Sequence, residues 1–285
     1  MGFGAVSAEA RPRRAPLPPR VEAPLNGTLR PDRPALPTDP MALPPLPDAY
    51  HQTLADGLGE LGLMLDGAQL RALEAWTRLL LAWTGAINLT AIREPAAIAR
   101  EHLLDSLSAV ALLRGGAAEG ILDLGSGAGL PGIPLAVAIP EARVLLVESV
   151  GKKAAFLRTA IAALGLDGRV TVAAVRAEAL AAAGHQREAW GAVTIRAVAA
   201  LPELVELAFP LLRPGGRLVA WKRGALDDEL AAARRAIWTM GGGNLEVQAT
   251  TVPELADHRL VVITKGGPTP RRFPRSPAER RGRRL

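Results

Sequence analysis

The chain has 285 residues, 49% of them hydrophobic, four histidines, no cysteine and a formal net charge of +6. The missing cysteine excludes disulfides, thiolate metal sites, iron–sulfur clusters and a cysteine nucleophile together, and no metal site is expected. No uncharged apolar run approaches the roughly 18 residues of a membrane span, and MGFGAVSAEARPRR lacks the ordered regions of a signal peptide, so a cytoplasmic protein with no membrane partner is expected.

Residues 1–47 are rich in proline, arginine and alanine and keep no apolar period, which predicts a disordered leader; Met41 near its end is a candidate alternative start. Residues 48–115 read as a helical cap. A helix is expected from Asp48 to about Leu65, weakened by Gly57, Gly59 and Gly62. A stronger one follows the capping pair Asp66-Gly67, with Leu70, Leu73, Trp76, Leu80 and Trp83 on one stripe. After the short mixed segment Asn88–Arg93, a helix from Pro95 to Leu113 places His102, Asp105 and Ser106 on one face by their i, i+3, i+4 spacing. On spacing and composition alone that face reads as a solvated or capped surface before it reads as a site.

Residues 116–265 read as the ligand-binding domain, organised around ILDLGSGAGLPG, Ile121 to Gly132. An apolar strand ends in Asp123-Leu124, glycines follow at 125, 127 and 129, and a short apolar helix turns its free N–H groups toward them. In an open α/β sheet, ligands bind at such strand-to-helix turns. The dinucleotide fingerprint Gly-x-Gly-x-x-Gly wants a small residue where this chain has Leu130, so the alternating glycines favour the first motif of S-adenosylmethionine-dependent methyltransferases. The next strand, 143–147, ends in Glu148, where an acid can accept from both ribose hydroxyls of either cofactor. Alternation continues through helix 151–165, strand 170–174, helix 177–183, strand 191–195, helix 200–212, strand 216–221 and helix 225–238. Two final strands, 244–250 and 259–264, have no helix between them. Seven strands with such an ending predict a methyltransferase sheet whose last strand inserts antiparallel, whereas a dehydrogenase would more often continue the alternation.

Residues 265–285 carry net +7 and residues 1–40 net +2, leaving −3 for the rest. The closing stretch, 266–285, is therefore expected to be a flexible basic arm. It is read either as meeting RNA phosphates, through Arg271 and Arg272 among others, or as a solubilising appendage. Aromatic residues, 4% of the chain, are too few for a stacking platform, so RNA would be read by shape and by a pocket for one base.

Several motifs in order carry a resemblance to a known family: Asn88-Leu89-Thr90, His102 with Asp105-Ser106-Leu107, Asp123 through Pro131-Gly132, Glu148-Ser149 with Lys152-Lys153, Arg176-Ala177-Glu178, and Arg196-Ala197. Over roughly residues 50–275 the chain resembles the glucose-inhibited division protein B family, bacterial methyltransferases acting on guanine N7 of 16S ribosomal RNA. The resemblance implies a class I methyltransferase fold, Rossmann-like with a seven-stranded mostly parallel sheet, behind an N-terminal helical cap. It implies S-adenosylmethionine as cofactor and 16S rRNA or the small ribosomal subunit as partner; a monomer is expected. By position, Gly125, Gly127 and Leu130 would meet the methionine end of the cofactor, Glu148 its ribose, and Ala177 and Glu178 its adenine. Arg196 would lie at the cofactor–substrate boundary, and His102, Asp105 and Ser106 become pocket residues. The chain departs from the family in its leader, its closing tail and the alanine-rich insertion between Glu178 and Arg196.

The residues allow a chemical check. Methylation at a pyrimidine C5 needs a covalent nucleophile, normally cysteine, and is excluded. Exocyclic amine methylation commonly uses an Asn/Asp-Pro-Pro-Tyr/Phe loop where this chain has Thr194-Ile195-Arg196-Ala197. Guanine N7 carries a lone pair and no proton, so alignment suffices, and orientation alone can contribute about 7–11 kcal/mol. Arg196 and Lys222 are then expected to position the base and phosphates, although Lys222 reads equally as a solvated strand-end lysine. Two alternatives stay open: a methyltransferase of the same fold acting on a small molecule or protein, and a non-catalytic RNA-binding assembly factor.

Overall fold

The computed structural model describes residues 35–115, 120–196 and 199–282. Most of the leader, Ala197 of the arginine motif, and Arg283 and Arg284 of the tail lie outside these residues.

The helical cap is built from α1 (Asp48–Glu60), α2 (Gly67–Ile87), α3 (Pro95–Ile98), α4 (Asp105–Leu107) and α5 (Val110–Arg114). Helix α2 begins where the sequence places it because Asp66 and Gln69 form a reciprocal capping box, and it ends where Asn88 turns left-handed at φ 50°. Its stripe buries Leu73, Trp76, Leu80 and Trp83, each contributing about 1.5–3 kcal/mol, while Leu70 stays at the solvent rim. The single helix expected over 95–113 is interrupted. Residues Ala99–Leu104 between α3 and α4 form a π-helix, whose wider turn alters the spacing of the face carrying His102 and Asp105.

Seven strands follow: β1 (Ile121–Leu124), β2 (Val144–Val147), β3 (Val170–Ala173), β4 (Trp190–Ile195), β5 (Leu212–Arg223), β6 (Gly243–Ala249) and β7 (His258–Lys265). Their order is β3-β2-β1-β4-β5-β7-β6. The first five are parallel, and β7 enters antiparallel between β5 and β6, as the helix-free ending predicts. The intervening helices are α6 (Gly132–Ala138), α7 (Gly151–Ala163), α8 (Ala177–Ala182), α9 (Leu201–Ala208) and α10 (Asp227–Thr239), and α11 (Pro277–Gly282) closes the described chain. One core lies between the sheet and the layer of α6, α7 and the cap. The second lies on the opposite face, beneath α8, α9 and α10. Every residue of α6 is buried, because the cap covers the side that would face water in an uncapped sheet. Among the described residues no helix is long and apolar enough to cross a membrane.

Both ends of the described chain differ from expectation. Residues 35–47, assigned to the disordered leader, lie along α2: the Trp83 indole donates to Pro37 O at 2.7 Å, Arg78 reaches Leu43 O, and Leu46 is buried. Composition concealed this because the anchors are single groups rather than a periodic stripe. The basic stretch after β7, expected as a flexible arm, is docked on the domain as far as Gly282. Phe273 is buried, Arg275 pairs with Glu206, Arg280 pairs with Glu178, and Arg187 donates to the carbonyls of Thr269, Pro270 and Phe273. Two of its charges, Arg275 and Arg280, are matched by acids on α9 and α8, which a net-charge reading of the tail alone could not reveal.

Candidate active site

The parallel strands bring the carboxyl ends of β1, β2 and β4 together, and the predicted cofactor residues converge there. Strand β1 carries Asp123 as its last residue but one, sealed from solvent, whose carboxylate accepts from Thr194 Oγ1 at 2.8 Å and from Gly132 N at 3.3 Å. Burial pushes its pKa up to about 6 against these hydrogen bonds. Asp123 thus ties β1 to β4 and to the start of α6 and is a structural member of the turn.

The glycines divide into two roles. At Gly125, φ is +72° and a Cβ would meet nothing within 4 Å, so the backbone faces open space. At Gly129, φ is +88° and a Cβ would fall 2.4 Å from Ile133 Cδ1, so this glycine admits close packing of α6 rather than a ligand. The Gly127 N–H donates to Glu148 Oε2 at 2.9 Å, while Glu148 Oε1 accepts from Val150 N at 2.7 Å. Glu148 is therefore preset across the mouth of the turn, at the start of α7, with lone pairs left for hydroxyl donors. Leu130 is buried. The open backbone at Gly125 and the preset carboxylate fit the amino-acid end and the ribose of S-adenosylmethionine. Ala177 and Glu178 open α8 just beyond β3, on the neighbouring strand, and Glu178 is paired with Arg280.

Sequence reasoning missed one support of this turn. The Trp76 indole donates to Ala128 O at 3.1 Å, so the cap helix α2 holds the glycine backbone from behind. Trp76 read only as a core residue, and its polar edge was the available signal.

Beyond β4, Arg196 gathers the cap residues. Its guanidinium lies 3.2 Å from Asp105 Oδ2, donates to Glu101 O at 3.2 Å and approaches His102 Nδ1 at 3.3 Å. Burial lowers the Arg196 pKa, opposed chiefly by the Asp105 charge. Burial, reinforced by the adjacent Arg196 charge, also lowers the His102 pKa to about 4. The imidazole is then neutral at physiological pH; the tautomer that accepts from Arg196 at Nδ1 carries its proton on Nε2, 2.7 Å from Thr90 Oγ1. The other Asp105 oxygen lies 2.7 Å from His258 Nδ1, and the Trp221 indole donates to Asp105 O at 2.7 Å. His258 opens the penultimate stretch of the chain, 153 residues from Asp105, and no motif marked it.

Four expected site residues stand elsewhere. The Ser106 hydroxyl donates to His102 O and is buried, away from Arg196. Lys222 pairs with Glu229 at 2.6 Å and donates to Ala199 O, and Glu229 in turn accepts from Leu201 N, so Lys222 pins α9 to α10 instead of facing a substrate. Its neighbour Arg223 turns the other way: 55% of its side chain is exposed and it lies 3.9 Å from Glu101, beside the Arg196 cluster. Arg271 and Arg272 are exposed but sit near the amino edge of the sheet, where β7 ends, with Arg272 over the Phe273 ring.

A glycine turn open at Gly125, an acid closing the second strand and a sheet with a reversed seventh strand define a class I S-adenosylmethionine-dependent methyltransferase. In fold, the chain is similar to an O-methyltransferase from Bacillus cereus solved in complex with SAH, with TM-score 0.51 and 19% identity over 73% of this chain and 95% of that one. The family model GidB, rRNA small subunit methyltransferase G, matches residues 69–259, and the chain belongs to this family. It is 46% identical over 215 residues to the ribosomal RNA small subunit methyltransferase G of Roseiflexus sp. (strain RS-1), covering 75% of this chain and 91% of that protein. The protein of the same name from Deinococcus radiodurans is 42% identical over 241 residues, 81% of this chain and 92% of its own length.

Proposed function

We propose that the protein is a monomeric cytoplasmic enzyme that transfers a methyl group from S-adenosylmethionine to guanine N7 of 16S rRNA in the small ribosomal subunit. The observation that carries this reading is the state of the groups around Arg196. The nearest imidazole is held at a pKa of about 4, and Asp105 is shared between Arg196 and His258, so an arginine positioner stands at the cofactor edge beside groups already committed to one another. Such a site suits an acceptor that has no proton to lose. When bound, the cofactor supplies a sulfonium methyl that a ring-nitrogen lone pair can take directly.

Gly125, Gly127 and Leu130 would hold the amino-acid end, Glu148 the ribose, and Ala177 and Glu178 the adenine. Arg196, fixed by Asp105 and by neutral His102, orients the guanine, and its rigidity is its contribution, since alignment is the main barrier. Arg223 and the exposed arginines Arg271 and Arg272 would meet phosphates. The test is methyl transfer from labelled S-adenosylmethionine to small ribosomal subunits from cells lacking the enzyme, followed by mapping of N7-methylguanine. A labelled product at any other atom, or no transfer, overturns the reading.

A further inference from the structure

The closing strap traverses the molecule. It leaves β7 at the amino edge of the sheet, where buried Lys265 donates to Phe209 O and Leu212 O and pairs with Glu188. Arg187 then grips three of its carbonyls, and buried Phe273 seats it in the second core. Higher up, Arg275 meets Glu206 on α9 through its backbone N–H and its guanidinium, at 2.6–2.9 Å, with the Glu206 side chain only 1% exposed. Ser276 and Glu279 cap one another at the start of α11. At the carboxyl edge Arg280 pairs with Glu178, lies 3.6 Å from Glu203 and donates to Arg275 O at 2.7 Å.

What the strap reaches is a short element of the site. Helix α8 has six residues, and its cap residue Arg176 makes no side-chain hydrogen bond to it. A helix that short does not persist on its own propensity, so its placement depends on outside partners. Arg280 supplies one at the second residue of α8, and its own guanidinium is 10% exposed, held by Glu178, Glu203 and the Arg275 carbonyl together. The family model ends at residue 259, before the strap begins.

The geometry points to Arg280 as a positioning residue for cofactor binding: the closing strap holds the first turn of α8, and with it the adenine side of the cofactor site, in place. This rests on the reading of Ala177 and Glu178 as the adenine side. Arg280→Ala then raises the dissociation constant for S-adenosylhomocysteine at least about fivefold, the lower end of ordinary coupling between sites. The KM for S-adenosylmethionine rises in parallel, while kcat at saturating cofactor is unchanged.

The experiment is calorimetry with S-adenosylhomocysteine and steady-state methyl transfer for the full-length protein, Arg280→Ala and Arg280→Lys, with urea denaturation as a check of folding. Lysine keeps the charge, so Arg280→Lys is expected to recover most of the affinity. An Arg280→Ala protein that binds like the parent overturns the proposal, as does a fall in kcat with unchanged affinity. Failure of the parent itself to bind S-adenosylhomocysteine would instead overturn the cofactor-site reading.

Discussion

Replacing Asp105 by asparagine removes one negative charge from the centre of the Arg196 cluster while nearly conserving shape. Asp105 is 3% exposed and faces Arg196 with one oxygen and His258 with the other. The amide can keep its oxygen on Arg196 and turn its NH2 toward His258 Nδ1, which donates to the carboxylate; with the imidazole proton moved to Nε2, Nδ1 accepts instead, so the hydrogen bonds survive and the loss is mainly electrostatic. Breaking a buried pair by removing one partner costs about 3–5 kcal/mol, and the retained hydrogen bonds place Asp105→Asn near 3. Domains of ordinary stability, about 5–15 kcal/mol, remain folded after such a loss, so it is measurable by urea denaturation. Methyl transfer to small ribosomal subunits is expected to fall, while affinity for S-adenosylhomocysteine holds, because Gly125 and Glu148 are untouched. Adding Arg196→Gln should then cost less than it does alone, with a coupling of about 0.5–3 kcal/mol. Additive losses, or an Asp105→Asn protein of parental stability and activity, would refute the reasoning.

The two glycines separate ligand from packing: Gly125→Asp tolerates its left-handed backbone and should abolish cofactor binding in a folded protein, whereas Gly129→Ala should lower the urea midpoint through its clash with Ile133. Calorimetry with normal affinity for Gly125→Asp would remove that residue from the site. His102 titrates near 6.5 when unfolded and near 4 when folded, so the stability it contributes above pH 6.5 is lost as pH falls through that window, about 3 kcal/mol at its lower end. Buried Asp123, folded pKa about 6, shifts stability the opposite way, so parent and His102→Asn must be compared at each pH; equal slopes between pH 7 and 4.5 would sink the assignment. Finally, Arg271→Ala with Arg272→Ala should flatten the slope of log affinity for small subunits against log salt by roughly 0.7–0.9 for each phosphate that the protein ceases to neutralise. An unchanged slope would make both arginines bystanders.

The sheet was legible because every strand and crossover obeys local rules, and the glycine turn because a backbone left open for a ligand needs glycine in the sequence itself. Glu148 followed from its place at the end of the second strand. What stayed hidden depends on pairings between distant segments. Nothing near His258 announces Asp105 as its partner, and the π-helix at Ala99–Leu104 alters a face that regular helical spacing implies. The same holds for Lys222: alternation along β5 sends it to Glu229 and its neighbour Arg223 to the Arg196 side, one residue from the expected place. The tail read as mobile because proline and arginine dominate it, yet Glu206 and Glu178 stand ready to receive it.

The insertion of β7 between β5 and β6 bears on how the protein is made. Among the described residues β6 pairs with β7 alone, so when β6 emerges during synthesis it finds no neighbour there, and β5 stands as an open edge until residue 265 has been added. An open edge beside the apolar residues Leu218, Val219 and Ala220 is prone to unwanted pairing with other chains. The strand that closes this edge also brings His258 to Asp105. A chain stopped short of β7 therefore lacks both its sheet closure and the histidine that braces Asp105, the partner of Arg196.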